Sequence, residues 1–346
     1  MSAIACWGQS RQQSYTVGEM SQVGELRRAV ERMAHAAGFG ETARGRAAII
    51  ASELGTNIVR HAGQPGEVLI QMLDPGGDAQ LELLAVDRGV GLDLASCLQD
   101  GYSTAGTPGN GLGAVNRLAT VFDIYSVKGA GTVVLARVAR GAPEGVSSRS
   151  GTPSQIRLGA VSQAVKGEIE NGDTWRVSAT ADQLALLVVD GLGHGPLAAA
   201  AAEAAAECFL GRPFADPVEA LAAIHLALLR SRGAAASCVM IDLRTRVASF
   251  AGVGNVSVSY HADGARKAMG GHNGTLGVIP SRPRTFQHAL PSDSLVLLSS
   301  DGLQTRWTLE QYPGLANRHP ATIAAMLYAQ HARPRDDVTV LAVRVP

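Results

Sequence analysis

The 346-residue sequence predicts an α+β protein that is built from two domains. Three helical segments and four strand-like segments lie within residues 18–139, and no internal repeat relates this half to the second. The stretch GAPEGVSSRSGTPSQ at 141–155 is rich in glycine, proline and serine, which is typical of a flexible linker. The chain length also suits two domains of ordinary size. We therefore expect domains over 1–140 and 156–346.

Composition and charge exclude several classes of partner. The 30 basic and 30 acidic residues give a net charge of zero, so nothing favours nucleic acid or an anionic membrane surface as a partner. The longest apolar stretch, LAAAAAEAAAECFL, is interrupted by Glu203 and Glu207, and no signal-like segment opens the chain. We therefore expect no membrane span and no secretion. The four cysteines keep no metal or redox spacing, which indicates reduced thiols and a cytoplasmic location.

The N-terminal domain is expected to begin with two helices. Residues 18–39 and 41–62 both place apolar side chains at i, i+3, i+4 and i+7, which is the helical period. Two strands should follow, EVLIQMLD and AQLELLAVD, joined by the turn PGGD. A glycine loop then opens a third helix, and FDIYSVKG and GTVVLARV complete the domain as strands.

Polar residues and glycines recur at the ends of these segments. Glu53 and Asn57 are spaced i, i+4 on the second helix, so both project from one face. Asp87 ends a buried strand in AVDRGVGL. Gly89 and Gly91, which follow Asp87, let a ligand approach the backbone closely.

A glycine loop, GNGLG, completes this set of motifs. Gly109, Gly111 and Gly113 precede or open a helix whose free N–H groups can hold phosphate. Taken together, residues 15–139 resemble the GHKL (Bergerat) ATP-binding fold. Within that fold they resemble the small serine kinases that act as anti-sigma factors or stressosome switch kinases. The resemblance implies an α/β sandwich that binds ATP with Mg²⁺.

The same resemblance implies a role for each polar position. Asp87 would hydrogen-bond the adenine amino group, and the two glycines that follow would make room for the base. Asn57 would hold Mg²⁺ against the triphosphate, and Glu53 would be the base that orients the attacking hydroxyl. The glycine loop would wrap the phosphates, with 102–108 as a short lid.

Carboxylates mark the ends of strand-like segments in the second half. Asp173 lies in NGDTW, Asp190 in VVDGLGHG, Asp301 in LLSSDGL, and Asp336 with Asp337 in RDDVTVLAV. Strand ends on the same side of a sheet gather such side chains, and the pKa values of clustered carboxylates rise unless a cation neutralises them. Mg²⁺ or Mn²⁺, which prefer oxygen ligands, would satisfy such a cluster.

These motifs, together with RGAAASCVMIDL and FAGVGNV, resemble the metal-dependent serine/threonine phosphatases of the PPM family, in their SpoIIE-like and RsbX-like branch. The resemblance covers 156–346 and implies an α-β-β-α sandwich with two Mn²⁺ or Mg²⁺ ions. Asp190 would bridge the two metals, and the Gly191 carbonyl would be a further ligand. Asp301 and Asp336 would complete one ion, and Asp173 would contact the other directly or through water. A water between two such ions would attack a phosphoserine or phosphothreonine.

Two departures from the PPM pattern concern the substrate and the branch. The segment KGEIENGD contains Lys166 but no arginine, whereas the larger eukaryotic-type phosphatases carry an arginine there to hold phosphate. FAGVGNV contains Asn255 where SpoIIE-like members often show histidine, which favours the RsbX-like branch.

The favoured interpretation is a bifunctional partner-switching regulator, in which a kinase-like domain opposes a phosphatase. Both would act on a serine or threonine of a STAS-domain antagonist or scaffold protein, and the phosphorylated form of that protein would be the substrate of the phosphatase. A second interpretation keeps only the phosphatase as an enzyme and makes the first domain an ATP-binding regulator. In a third, the first domain binds a sigma factor or STAS partner without transferring phosphate. Glu53 favours catalysis, because recognition of adenine and Mg²⁺ does not require it.

Overall fold

The computed structural model describes residues 4–91, 111–141, 156–279 and 283–346. The three predicted helices and four predicted strands of the first half are present in the predicted order. The elements of this half are β1 (Ala5–Trp7), β2 (Gln13–Val17), α1 (Met20–Ala36), α2 (Glu41–His61), β3 (Gly66–Leu73), β4 (Gln80–Asp87), α3 (Gly111–Leu118), β5 (Val121–Val127) and β6 (Gly131–Ala139).

The second half contains ten strands and three helices within the described residues, with two short 3₁₀ turns at Leu309–Gln311 and Leu315–Asn317. The elements are β7 (Arg157–Gln163), β8 (Asp173–Ala179), β9 (Gln183–Gly191), α4 (Pro196–Gly211), α5 (Pro217–Ala227), β10 (Ala234–Asp242), β11 (Val247–Val253), β12 (Ser257–Ala262), β13 (Ala265–Met269), β14 (Phe286–Ala289), β15 (Ser294–Ser299), α6 (Pro320–His331) and β16 (Val338–Val345).

The chain forms two compact units, and each unit includes segments from both halves of the sequence. The N-terminal unit comprises Ser10–Arg149 and Tyr312–Gln330, and the C-terminal unit comprises Met1–Gln9, Ser150–Gln311 and His331–Pro346. The mixed α/β, two-domain class predicted from the sequence is therefore confirmed. A single cut within 141–155 does not account for the first nine residues or for the segment that contains α6.

The N-terminal unit is an antiparallel sheet in the order β2-β3-β4-β6-β5, with α1 and α2 packed on one face. Helix α1 begins at a capping box, in which the Gln22 side chain accepts hydrogen bonds from the backbone N–H groups of Gly18 (2.7 Å) and Glu19 (3.0 Å). Alternate residues of β3 and β4 enter the core that these helices cover. This packing fixes one face of α2 against the sheet, near the point where β4 ends at Asp87.

The segment Tyr312–Gln330 belongs to this unit although it follows β15 in the sequence. The Tyr328 hydroxyl donates to Glu67 Oε2 at 3.1 Å, and the Tyr125 hydroxyl donates to the Pro313 carbonyl at 3.1 Å. Glu67 and Tyr125 alternate with core positions of β3 and β5, so they lie on the sheet face opposite α1 and α2. Helix α6 is apolar along most of its length and buried there, which places it against this second face.

The C-terminal unit contains a six-stranded sheet, β1-β8-β9-β10-β11-β14, and a five-stranded sheet, β13-β12-β15-β16-β7. Helices α4 and α5 cover the first sheet, where Phe209 and Leu221 pack against alternate residues of β9. Helix α4 begins with Pro196 at its first position, where the missing N–H leaves no hydrogen bond unmade.

The strand ends of this unit gather on one side. Asp173, the first residue of β8, stands opposite Asp190 near the end of β9. In the other sheet, Ser299 of β15 stands opposite Val340 of β16, so Asp301 and Asp336 extend beyond the same end of that pair. In the described part of the chain, no helix is both long enough and apolar enough to span a membrane.

Candidate functional site

The first cluster of polar residues lies between α2 and the start of α3. Gly111 opens α3 directly against the polar face of α2. A Cβ atom at Gly111 would lie 2.9 Å from Glu53 Oε2 and 3.4 Å from Asn57 Oδ1. The structure therefore brings together these three predicted residues, and a side chain at position 111 would collide with Glu53. Gly113 lies in the first turn of α3.

The end of β4 forms a tight turn around Asp87. The Gly89 N–H donates to Asp87 Oδ1 at 2.8 Å. A Cβ at Gly89 would lie 2.5 Å from the Ala62 carbonyl oxygen, so only glycine fits this position. Gly91 has a φ of +79° and equally close backbone neighbours. Burial raises the pKa of Asp87, and hydrogen bonds from Gly89 and Thr132 offset part of that rise.

These residues fit ATP and Mg²⁺ in two respects. Asn57 Nδ2 is buried and has no hydrogen-bond partner among the described residues, which is costly unless an acceptor such as a phosphate oxygen engages this N–H donor. Asp87 has one oxygen engaged by its own turn and is half-buried. Gly109 and the predicted lid at 102–108 lie outside the described residues.

The second cluster is formed by the acids of the C-terminal unit. Asp173 is almost fully buried, and its Oδ2 atom has no hydrogen-bond partner among the described residues. Burial raises the pKa of Asp173 well above its usual value, and the neighbouring carboxylates of Asp190 and Asp337 raise it further. A buried carboxylate oxygen without a donor is a position that a cation would stabilise.

Asp190 lies where the other acids converge. Burial raises the pKa of Asp190 to about 7, and the charges of Asp301, Asp336 and Asp337 contribute to that rise. The Asp301 side chain is within hydrogen-bonding reach of both Asp190 and Asp336. The pKa of Asp336 is raised by burial and by Asp301. The structure thus brings the four predicted acids to one place, from the ends of strands in two sheets.

The two adjacent acids before β16 have different surroundings. Asp337 is buried, and its two oxygens accept hydrogen bonds from the backbone N–H groups of Val165 (2.7 Å) and Gly172 (2.8 Å). Asp337 therefore holds the segment that leads into β8 and its first residue, Asp173. Asp336 is free of these contacts and lies beside Asp301.

Close packing explains the glycine that follows Asp190. A Cβ at Gly191 would lie 2.3 Å from the Ala198 carbonyl oxygen and 2.9 Å from the Gly172 carbonyl oxygen. The Gly191 N–H donates to the Gly172 carbonyl at 2.9 Å. The end of β9 is therefore fixed against α4 and against the segment that Asp337 holds.

One residue of this cluster was not among the predicted site residues. Asn255, which follows β11, donates from Nδ2 to Asp301 Oδ2 at 2.5 Å. Asn255 thereby orients one of the converging carboxylates. Its place at a strand end in FAGVGNV is the sequence signal that could have identified it.

Donor chemistry supports a divalent-cation site at this cluster. Within the described residues, no three Asp, Glu, His or Cys side chains already stand at metal-ligand spacing. Several carboxylate oxygens instead lie within hydrogen-bonding reach of one another, an arrangement that requires a shared proton between them or a cation in its place. The residues present are hard oxygen donors, which suit Mg²⁺ or Mn²⁺.

Family models match both halves of the chain. Residues 17–138 match the histidine kinase-like ATPase domain, and residues 180–346 match stage II sporulation protein E (SpoIIE). The first match covers the first cluster described above, and the second covers the acids of the second cluster except Asp173.

Individual relatives and solved structures are similar to parts of the chain. Serine/threonine-protein kinase RsbT of Bacillus subtilis (strain 168) is 38% identical over 100 residues, which are 29% of this chain and 74% of RsbT. A solved structure from work on the bacterial stressosome, a modular system adapted to control secondary messenger signalling, is 28% identical. The match covers 55% of this chain and 100% of the solved chain, with a TM-score of 0.52. The crystal structure of RsbX in complex with magnesium is 22% identical. The match covers 55% of this chain and 96% of the RsbX chain, with a TM-score of 0.49.

Proposed function

The chain belongs to the histidine kinase-like ATPase domain family over residues 17–138 and to the SpoIIE family over residues 180–346, and from that premise we propose that it is a bifunctional partner-switching regulator. The SpoIIE-family half is an enzyme domain of the PPM phosphatase fold, and the ATPase-family half is related to the kinase RsbT. In our proposal the ATPase-family half phosphorylates a serine or threonine of a STAS-type protein with ATP, and the SpoIIE-family half removes that phosphate.

The convergence of Asp173, Asp190, Asp301 and Asp336 is the observation that carries the proposal. We assign Asp190, the Gly191 carbonyl and the other three acids as the groups that would hold two Mg²⁺ or Mn²⁺ ions. Such ions, when bound, supply an acidified water and neutralise charge on the phosphoryl oxygens.

The remaining residues of the phosphatase site act by position. Asp337 holds the segment from Val165 to Gly172 through two backbone hydrogen bonds, and this fixes Asp173 opposite Asp190. Asn255 holds one oxygen of Asp301. Preorganised carboxylates lose little freedom when cations and substrate bind, which is how such a scaffold favours the transition state.

For the N-terminal domain we propose that Asp87 receives the adenine amino group while Gly89 and Gly91 leave room for the base. Asn57 would hold Mg²⁺, and the loop that ends at Gly111 would wrap the phosphates. Glu53 would orient the attacking hydroxyl of the substrate protein. Phosphoryl transfer needs such positioning and charge neutralisation more than covalent chemistry.

A second candidate function keeps the phosphatase but makes the N-terminal domain an ATP-binding regulator. The segment Tyr312–Gln330, which belongs to the N-terminal unit, lies in the sequence between Asp301 and Asp336. A change in the N-terminal unit on nucleotide binding would therefore act on a segment that is covalently joined to two of the proposed metal ligands. Under this alternative the N-terminal domain would bind a sigma factor or a STAS partner without transferring phosphate.

The partner that we propose is a STAS-domain antagonist or scaffold protein. The kinase relationship to RsbT and the likeness to a stressosome structure support this choice. The neutral net charge of the chain supports a protein partner over nucleic acid.

A two-stage assay with the full chain tests the proposal. The protein is first incubated with γ-labelled ATP, Mg²⁺ and a STAS protein from the same genome, and transfer of label to the STAS protein is expected. The phosphorylated STAS protein is then supplied without ATP, and Mn²⁺-dependent release of phosphate that stops in EDTA is expected. Release without transfer would select the regulator alternative. Release that continues at full rate in EDTA would contradict the metal-dependent phosphatase.

A further inference from the structure

A guanidinium group lies beside the loop that carries Asp190. Arg232 follows α5 in the sequence RSRG, and a Cβ at Gly193 would lie 3.1 Å from Arg232 Nη1. Gly193 is three residues after Asp190 and has a φ of +85°. Because position 193 carries no side chain, the guanidinium occupies the space next to this loop.

Short-range contacts fix the backbone around Arg232. The Ser231 hydroxyl donates to the Leu228 carbonyl at 2.8 Å and accepts from the Gly233 N–H at 3.0 Å. A Cβ at Gly233 would lie 2.6 Å from the Leu276 carbonyl oxygen, so this glycine also cannot be replaced without a shift. The turn between α5 and β10 is therefore well defined on both sides of Arg232.

The register of the sheet ties this turn to the metal-site loop. Ala235 stands opposite Asp190 and Ala234 opposite Gly191 in the antiparallel pair of β10 and β9. One step further, the Leu192 N–H donates to the Gly233 carbonyl at 3.0 Å. The same register places Arg232 opposite Gly193. Backbone hydrogen bonds therefore set the position of the Arg232 backbone relative to Asp190.

The Arg232 guanidinium is exposed, and no acid among the described residues pairs with it. Among residues of the described ranges, Arg232 forms no ion pair or hydrogen bond. It remains available to an anion that reaches the same loop.

We propose that Arg232 binds the phosphate group of the substrate at the phosphatase site. This inference rests on the proposed phosphatase function. Guanidinium donates two parallel N–H groups to the oxygens of a phosphate, and the acids alone cannot hold a phosphate dianion. Metal ions would engage the phosphoryl oxygens that face the carboxylates, and Arg232 would engage an oxygen on the side of Gly193. The role is specificity for a phosphate monoester, since a neutral substrate gives the guanidinium no partner.

Lys166 is the competing cation. It is exposed and lies in the segment that Asp337 holds, on the approach to Asp173. Lysine carries a point charge on a flexible stem and lacks the fork that matches two phosphate oxygens. We therefore assign phosphate binding to Arg232, and a Lys166→Ala variant is the direct comparison.

The test uses the full chain loaded with Mn²⁺ and p-nitrophenyl phosphate as substrate. Arg232→Ala should raise KM and the inhibition constant of inorganic phosphate together, each by about 10- to 100-fold, which is the range for losing a hydrogen bond between charged groups. Arg232→Lys should fall between Arg232→Ala and the wild type. Calorimetric titration with Mn²⁺ should give the same affinity for Arg232→Ala and wild type, because Arg232 contacts no proposed metal ligand.

Arg230→Ala is the matched control, since Arg230 is an exposed arginine two residues away in the same connection. Its KM and phosphate inhibition constant should stay within about twofold of the wild-type values, as is usual for a surface substitution without contacts. An Arg232→Ala variant with wild-type KM and phosphate inhibition would overturn the proposal, as would a large effect of Lys166→Ala in its place. A wild-type protein that hydrolyses no phosphate ester with Mn²⁺ would instead contradict the phosphatase function itself.

Discussion

Asp190 is the side chain on which burial and repulsion from the other acids of the cluster act together. With a pKa raised to about 7 by burial and by its acidic neighbours, Asp190 is only partly ionised at neutral pH when no cation is bound. A divalent cation favours the ionised form and so competes with the proton for the same oxygens. Removing the charge of this residue should therefore affect the whole centre.

We expect Asp190→Asn to reduce metal-dependent phosphatase activity at least ~1,000-fold, because losing the nucleophilic hydroxide corresponds to about 4 kcal/mol at tenfold per 1.4 kcal/mol. Initial rates on a phosphorylated STAS protein at saturating Mn²⁺ measure this loss. Asp182→Asn is the matched control, since Asp182 is an exposed acid whose salt bridge with Arg244 is long at 4.0 Å. An Asp190→Asn variant as fast as wild type would leave the acid cluster without its proposed role.

In the N-terminal unit, substitutions of two different residues should separate nucleotide binding from phosphate transfer. Asp87→Asn should abolish nucleotide binding, because the carboxylate that would face adenine is then lost. Glu53→Ala should keep ATP affinity within about threefold, as a residue outside the binding contacts does, but should lose phosphate transfer. Titration with a fluorescent ATP analogue measures the first effect, and label transfer to the STAS protein measures the second.

Glu41→Ala provides the control for these two variants, because Glu41 is an exposed acid at the start of the same helix, α2. Both ATP affinity and transfer should be unchanged in it. Transfer at the wild-type rate by Glu53→Ala would show that Glu53 is not the base. Unchanged ATP affinity of Asp87→Asn would remove the assignment of the adenine site.

At the scale of elements, strand ends were the feature that could be predicted from the sequence. Runs of apolar residues that end in an acid predict where β4, β9 and β15 stop, and these ends carry Asp87, Asp190 and Asp301. Alternation of apolar residues does not determine which strands pair. Pairing between strands brings Asn255 to Asp301 and Arg232 to Gly193. The strand end in FAGVGNV marks Asn255 as a candidate but does not indicate its partner, and the local sequence of Arg232 carries no such signal.

Contacts between elements that are far apart in the sequence could not be predicted from the sequence pattern for the same reason. β1 contains only three residues and pairs with β8, where Ala5 stands opposite Ala179. A three-residue strand has too little periodicity to be recognised. Helix α6 is apolar around its circumference, which predicts burial but does not indicate the sheet on which it packs.

Strand β12 carries a buried histidine whose neutral form the fold requires. His261 stacks on Trp307, with ring centroids 6.0 Å apart. Burial lowers the pKa of His261 to about 4, and Arg266 and Arg344 contribute to the shift, while Glu310 opposes it. The ordinary pKa of histidine in an unfolded chain is about 6.5. Between these two values the unfolded chain binds a proton that the folded protein does not.

The free energy of unfolding should therefore fall as the pH drops from 6.5 toward 4, because protonation then favours the unfolded chain. In His261→Phe, which keeps a ring against Trp307 but does not titrate, the loss between pH 7 and pH 5 should be smaller by about 1 kcal/mol. Urea unfolding at both pH values measures the difference. Buried carboxylates such as Asp173 respond in the opposite direction, but they are common to both proteins and cancel. Equal losses in the two proteins would show that His261 is protonated in the folded state.

At the scale of the whole molecule, the two units exchange segments along the chain. The C-terminal unit includes Met1–Gln9, and the N-terminal unit includes Tyr312–Gln330. The linker composition at 141–155 predicts that a cut there releases two independent domains. The exchanged segments predict a different result, since each half of the sequence contains a part of the other unit. We therefore propose that both halves are required for either unit to reach full stability.

A fragment of residues 156–346 would lack the β1 partner of β8 and would leave Tyr312–Gln330 without β3 and β5 of the N-terminal unit. Exposing the apolar helix α6 should promote aggregation, and the midpoint of thermal unfolding should fall by at least about 5 °C, which corresponds to 1–2 kcal/mol in a domain of this size. The control is the full chain cut by a protease at a site introduced within 141–155, which retains both pieces. After cleavage its pieces should elute together in size-exclusion chromatography and unfold at the temperature of the intact chain. If 156–346 alone is monomeric and unfolds at that same temperature, the exchanged segments contribute nothing to stability and the linker marks a true boundary between independent domains.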